Sequence, residues 1–145
     1  MMSKNASIVR VRHVMHSRFC RVDGLATVDQ ALQLMREDQA LALVVDKRDE
    51  DDEFGIVLLS DIAKKVLAPN RAPERTNVYE IMSKPALGVR PDMQVRYCAR
   101  LFENFGLTLA PVIDTADEVL GVVSYEDLVL RGLDPRSFHG ESKAP

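Results

Sequence analysis

The sequence predicts a mixed α+β (α/β) fold built twice, as two β-α-β-β-α repeats packed sheet to sheet with pseudo-twofold symmetry. Three observations lead there. The chain of 145 residues matches itself at a shift of about 66 to 68 residues, too long for the common solenoid periods. Each copy carries the same succession of extended, helical, extended, extended and helical signals. Between the copies lies APNRAPERT, Ala68 to Thr76, whose prolines, asparagine and charges read as a linker. One such unit is too small to bury its own sheet face well, because short chains bury a smaller fraction of their surface. Two units packed against each other remove that difficulty. The expected boundaries are residues 8–67 for the first repeat, 68–76 for the linker, 77–133 for the second repeat and 134–145 for a polar tail with little order.

The elements follow in order. Each copy begins with an apolar residue and Met, Val14-Met15 matching Ile81-Met82, and then a short extended segment, CRV at Cys20 and LGV at Leu87. In the first copy Thr27 can cap a helix and Gln30 can return the bond, a T-x-x-Q capping box. Val28, Ala31, Leu32 and Met35 then form an i, i+3, i+4, i+7 stripe. In the second copy Pro91-Asp92 is expected to open the helix, with Val95, Cys98, Ala99 and Phe102 as its stripe. Two apolar runs come next, Leu41 to Val45 and Gly55 to Leu59, matched by Leu109 to Ile113 and Gly121 to Ser124. They are β-branched, too short for helices and bounded by turn residues. A second helix is expected near Asp61 and near Glu126. Ser124 and Asp127 can form a capping box at the latter, with an acid where Glu or Gln is commoner.

Composition narrows the function. The apolar share of 46% fills a core, and with only 6% aromatic residues and no Trp the packing is aliphatic. A net charge of -3 with 28% charged residues shows no basic excess of the kind nucleic-acid binding favours. No apolar run approaches the ~18 to 20 residues of a membrane span, and the N-terminus lacks the apolar core of a signal peptide. Cys20 and Cys98 have neither metal-type spacing nor a disulfide framework, and both sit in apolar patterns that predict buried free thiols. A cytoplasmic protein is the simplest expectation. No nucleophile with a base and its orienter emerges, and no phosphate loop, so an enzyme is not expected. His13 and His16, spaced H-V-M-H, have no third metal ligand at a suggestive distance. The acidic run Asp46 to Glu53 lacks the glycine of a calcium loop and reads as a solvated turn.

The closing runs FGIVLLSDI (Phe54 to Ile62) and LGVVSYEDL (Leu120 to Leu128), each preceded by a central strand, LALVVD or LAPVID, carry a resemblance. With VRPDMQV before the second helix, they resemble the cystathionine-β-synthase (CBS) domain family, arranged as a tandem pair over roughly Val11 to Leu133 with nothing else attached. The resemblance implies a cleft between the repeats that binds an adenosine-containing nucleotide: AMP, ADP, ATP, NAD or S-adenosylmethionine. It implies that the motif Asp, here Asp127 and Asp61, accepts from the ribose hydroxyls, that Ser124 lies near ribose or phosphate, and that backbone and apolar groups of the strand regions, with Leu87, Ala110 and Pro111 as candidates, hold the base. An ionised carboxylate is acceptor-only and suits a diol. Leu58 replaces the hydroxyl residue in the first copy, which favours the site around Asp127. Lys65 and Arg131, four residues after each Asp, can pair with it along a helix or reach a phosphate. Arg12, His13, His16 and Arg18, with Lys84 and Arg90 in the second copy, stand where family members supply cleft contacts. The expected role is a regulatory module acting on an unidentified partner protein. The alternative is a dimerising scaffold with an empty cleft. A homodimer is expected on either reading, through Ala31, Leu34 and Met35 and through Leu101, Phe102 and Phe105.

Overall fold

The structure, a computed structural model, describes residues 8–134. The tail expected to lack order therefore lies, from residue 135, outside the described residues. In chain order the first half contains α1 (Val11–Val14), β1 (Phe19–Val22), α2 (Val28–Asp38), β2 (Ala42–Val45), β3 (Gly55–Leu58) and α3 (Leu59–Ile62), which runs into a π-helical turn Ala63–Leu67. After 3-10 turns at Pro73–Arg75 and Val78–Glu80 come α4 (Val95–Phe105), β4 (Leu109–Ile113), β5 (Val119–Ser124) and a π-helical turn Asp127–Arg131. Two compact units result. One is continuous, Ser17–Leu87; the other is split, joining residues 8–16 to residues 88–134.

In the continuous unit β1 runs parallel to β2 and β3 antiparallel to it, in the order β1-β2-β3. The capping box at α2 is present. Gln30 N donates to Thr27 Oγ1 at 3.1 Å and Thr27 N to Gln30 Oε1 at 2.9 Å. The helix buries Val28, Ala31 and Met35 against Leu43, Val45 and Val57. Ala31, Met35 and Phe102 were expected on a dimer face. All three instead lie within their own unit's core, because the apolar stripe of each helix must cover its own sheet, and only Leu34 and Phe105 of those two stripes are exposed. The presumed linker is packed: Thr76 is buried, its Oγ1 donates to Ala72 O at 2.9 Å, and Arg71 pairs with Glu80 at 2.6 Å.

The split unit departs from the expected pattern twice. First, α4 starts at Val95 rather than at Pro91-Asp92. A helix from residue 91 needs its own first carbonyls as acceptors, but Pro91 O and Met93 O accept from Arg12 N and Val11 N at 2.9 and 2.8 Å. Second, the opening strand of the second copy is reduced to one parallel bridge, Val89 to Val112. On a parallel ladder the next donor upstream of Ile113 on β4 is residue 111, and that residue is Pro, which has no N–H to give. The same position in β2 is Val44.

The lead-in of each copy packs with the other copy's strands. Val9, Val11 and Val14 join the core of Val89, Phe102 and Val123, while Val78 and Ile81 join that of the continuous unit. The first helical N–H of α2 donates to Thr76 O at 2.8 Å, and that of α4 to Val9 O at 2.9 Å. Each lead-in then crosses a strand: Ser83 bridges Ile56, and His16 bridges Val122. The glycine that begins the closing motif answers this crossing. A Cβ at Gly121 would stand 2.7 Å from His16 O, and one at Gly55 2.7 Å from Met82 Sδ.

Candidate ligand-binding site

The closing motif turns a strand into a helix, and its carboxylate is placed by that turn. At the end of β5, Ser124 N and Ser124 Oγ both donate to Asp127 Oδ2, at 2.9 and 2.8 Å, and Asp127 N returns a bond to Ser124 Oγ at 3.3 Å. This is the expected capping box, with Asp in the third helical position. A further donor joins it: His16 Nε2 lies 3.0 Å from the same Oδ2. Asp127 is only 8% exposed, and three donors on one oxygen offset the cost of burying the charge. Its other oxygen, Oδ1, takes none of these bonds. Tyr125, two residues before Asp127, stands edge-on to the buried Phe102 ring with centroids 5.1 Å apart, which fixes the corner to the core.

The first copy is simpler. Asp61 Oδ2 accepts from Leu58 N at 2.8 Å. Leu58 offers no hydroxyl, and Ser83, which bridges β3 as His16 bridges β5, stands where the imidazole would be. Asp61 is half-buried and keeps Oδ1 outside that bond.

Lys65 and Arg131 do not pair with these carboxylates. Arg131 Nη1 and Nη2 donate to Val14 O and His13 O at 2.8 and 3.1 Å, and Lys65 Nζ donates to Ile81 O at 3.1 Å. The matched cations therefore clasp the matched carbonyls of the two lead-ins. Carbonyls at the C-terminal end of a short helical turn have no partner of their own, and a cation satisfies both their hydrogen bonding and their charge.

The remaining candidates are dispersed. Ala110 is fully buried in the split unit's core, so only its backbone is left for a ligand, and Pro111 is buried beside it in β4. Leu87, 38% exposed, and Arg18, whose Nε donates to Gln39 O at 3.0 Å, belong to the continuous unit with Asp61. Ser124, Asp127 and His16 are thus the group brought together; Arg131 acts beside them on backbone. His16 was among the broad set of cations near the first strand, but nothing in its spacing tied it to Asp127. His13 Nδ1 accepts from Arg10 N at 3.1 Å, so the two imidazoles of H-V-M-H serve different partners. Among the described residues no group of three or more His, Cys, Asp and Glu side chains is arranged for a metal ion, and no helix is long and apolar enough to cross a membrane.

Comparison with known proteins follows the same lines. The sequence model of the CBS domain matches residues 11–68 and 78–133. A hexameric CBS-CP12 protein from bloom-forming cyanobacteria has a similar structure, with a TM-score of 0.81 at 37% identity over 85% of this chain and 67% of that one. The cytosolic domain of the Mg2+ channel MgtE, solved in complex with ATP, has a TM-score of 0.62 at 27% identity over 79% of this chain and 45% of that one. Protein MK0525 of Methanopyrus kandleri, uncharacterized, is 28% identical over 95 residues, which are 66% of this chain and about half, 48%, of that protein's length.

Proposed function

The chain belongs to the CBS domain family, and on that premise we propose that it is a regulatory module that binds an adenosine-containing ligand at the closing motifs and signals to a partner protein by a change of conformation. The observation that carries this reading is the Asp127 carboxylate. Its Oδ2 is fixed by Ser124 and His16 while Oδ1 remains for a ligand. A fixed acceptor loses little freedom on binding, which favours affinity. A ribose diol supplies two hydroxyl donors suited to such an oxygen. The ATP complex of the MgtE cytosolic domain, a relative at 27% identity, supports the choice of ligand class. The role is binding, without a reaction. Asp127 and Ser124 are assigned the principal contact and Asp61 a weaker one, with backbone of β4 at Ala110 and Pro111 and the side chains of Leu87, Arg18 and Arg131 as outlying candidates.

A thermal-shift series with AMP, ADP, ATP, NAD and S-adenosylmethionine tests this. A ligand that binds only the folded chain adds about 2.7 kcal/mol at 100 times its dissociation constant, enough to move the midpoint visibly. No shift with any of the five, together with no nucleotide carried through native purification, would sink the reading. A dimerising scaffold would then take its place. One observation favours that second reading: the counterpart site around Asp61 has Leu58 where a hydroxyl side chain would stand. Either reading proposes a homodimer, joined through exposed apolar side chains such as Leu34, Phe105 and Leu130. Light scattering that shows a monomer in concentrated solution would remove the dimer.

A further inference from the structure

The duplication builds one corner twice, where the first strand of a copy meets the end of its neighbour. In the continuous unit Asp46 N donates to Val22 O at 2.9 Å; in the split unit Ile113 N donates to Val89 O at 2.9 Å. The next residue is Asp23 in one copy and Arg90 in the other. Arg90 folds back over its corner, Nη1 donating to Ile113 O at 3.3 Å and to Asp114 O, and the space left has a volume of about 200 Å³. Asp23 is shorter and turns onto its own loop, Oδ1 accepting from Leu25 N at 2.7 Å. The corner beside it stays open as a cavity of about 590 Å³, within the ~300–1,000 Å³ usual for small-molecule sites.

This cavity is separate from the closing motif. It lies at Val45, whereas Leu58, the residue that bonds Asp61, pairs with Ala42 at the opposite end of β2. That is a separation of roughly 10 Å along the strand.

Its lining carries both charges on an apolar base. Val45 and Met82 line it with Tyr79, which is half-exposed. Asp23 and Asp46 bring carboxylates, Lys47 and Lys84 bring ammonium groups, and Arg48, paired with Asp52, brings a guanidinium. Lys84 is held in place by Asp52, Nζ to Oδ1 at 2.6 Å, and that carboxylate is itself only 9% exposed. An ammonium has three donors, so two remain on Lys84 beyond this bond. Asp46 is engaged by Arg21 at 2.8 Å, whereas Oδ2 of Asp23 accepts no hydrogen bond among the described residues. A nucleotide would bring two or more negative charges against Asp23 and Asp46, and a simple cation would meet Lys47, Arg48 and Lys84. A molecule with one charge of each sign and an apolar body meets neither obstacle.

We propose that this corner of the continuous unit binds a free α-amino acid with an apolar side chain, its ammonium group at Asp23, its carboxylate at Lys84 and its side chain against Met82 and Tyr79. The proposal stands independently of the adenosine reading.

Calorimetric titration of the full chain with L-leucine, L-methionine and L-phenylalanine tests it, with N-acetyl-L-leucine and L-leucinamide as probes lacking one charge each. Saturable binding of at least one free amino acid is expected. For leucine, loss of either charge should weaken binding by roughly tenfold or more, the scale of one hydrogen bond to a charged group. Asp23→Arg, which copies Arg90, is expected to close the corner and abolish binding. Asp23→Asn keeps the turn and is expected to weaken binding by roughly tenfold at an unchanged melting temperature. Amide shifts should centre on Gly24, Asp46 and Lys47. Absence of binding by all three amino acids, equal affinity for N-acetyl-L-leucine, undiminished binding by Asp23→Arg, or shifts centred on Ser124 would each overturn the proposal.

Discussion

A carboxylate at the end of a strand has two oxygens to place, and the two copies of the closing motif place them differently. Asp127 gives one oxygen to Ser124 and His16, while Asp61 gives one to a single backbone N–H. Replacing Asp127 with Ala is therefore expected to weaken binding of a responsive nucleotide by roughly 5- to 150-fold, the equivalent of about 1 to 3 kcal/mol for hydrogen bonds to a charged group. Asp61→Ala should weaken the dominant binding event less. Titrating both variants checks the order, and a larger loss from Asp61→Ala would reverse the assignment. The bond between Ser124 and Asp127 was legible in the sequence because it spans three residues and obeys a local rule. The contacts of His16 and Arg131 were not. Arg131 and Val14 are 117 positions apart, and only the fold brings the guanidinium to that carbonyl.

At the scale of elements, α2 was legible from its cap to its stripe because its capping box lies within one turn, although its first N–H donates to the distant Thr76 O. Removing the cap by Thr27→Ala is expected to cost about 1 kcal/mol, measurable as a lower urea midpoint with an unchanged slope. The start of α4 was not legible, since no side chain caps it and the carbonyls of Pro91 and Met93 are taken by Arg12 and Val11 from the other end of the chain. The opening strand of the second copy was overestimated for a different reason: Pro111 looks apolar in the pattern but cannot donate to a ladder. The glycines that open the closing motifs have their cause in the crossing lead-ins. Gly121→Ala is expected to destabilise the chain by about 1 to 3 kcal/mol, because the obstacle 2.7 Å away is backbone oxygen and not a movable side-chain tip. A thermal melt equal to that of the unchanged protein would show that β5 can shift without loss. Burial also pushes the Cys98 thiol on α4 up to about 11. Thiol reagents at mildly alkaline pH should accordingly label it only after unfolding.

For the whole molecule, the duplication and the aliphatic character of the packing could be seen in the sequence, since repetition and composition are properties of the string itself. The exchange of lead-ins could not, because each segment carries the same apolar pattern whichever strands it joins. Acid stability is tied to the loop between β2 and β3. Lys84, followed by the backbone N–H groups of Arg48 and Glu53, holds Asp52 well below the usual carboxylate range. A depressed carboxylate stabilises the fold fully above its unfolded pKa of ~3.9 and progressively less as pH falls toward its folded value. Asp52→Asn should lower stability at neutral pH and flatten the decline below about pH 4. Denaturant midpoints taken from pH 7 down to pH 2 would read both effects, and parallel curves for the two proteins would remove Asp52 from the account.

The split unit also sets an order of assembly during synthesis. Residues 8–16 leave the ribosome well before their companions Val89, Phe102 and Val123. The continuous unit has every residue it needs once Leu87 has emerged. A nascent chain therefore completes residues 17–87 first, and residues 8–16 dock only after most of the second copy has appeared. Until then Val9, Val11 and Val14 remain without their core. Ribosome-bound chains stalled shortly after Leu87 clears the exit should show protease resistance across residues 17–87 and cleavage before residue 17. A chain stalled after Gly132 has cleared it should protect both.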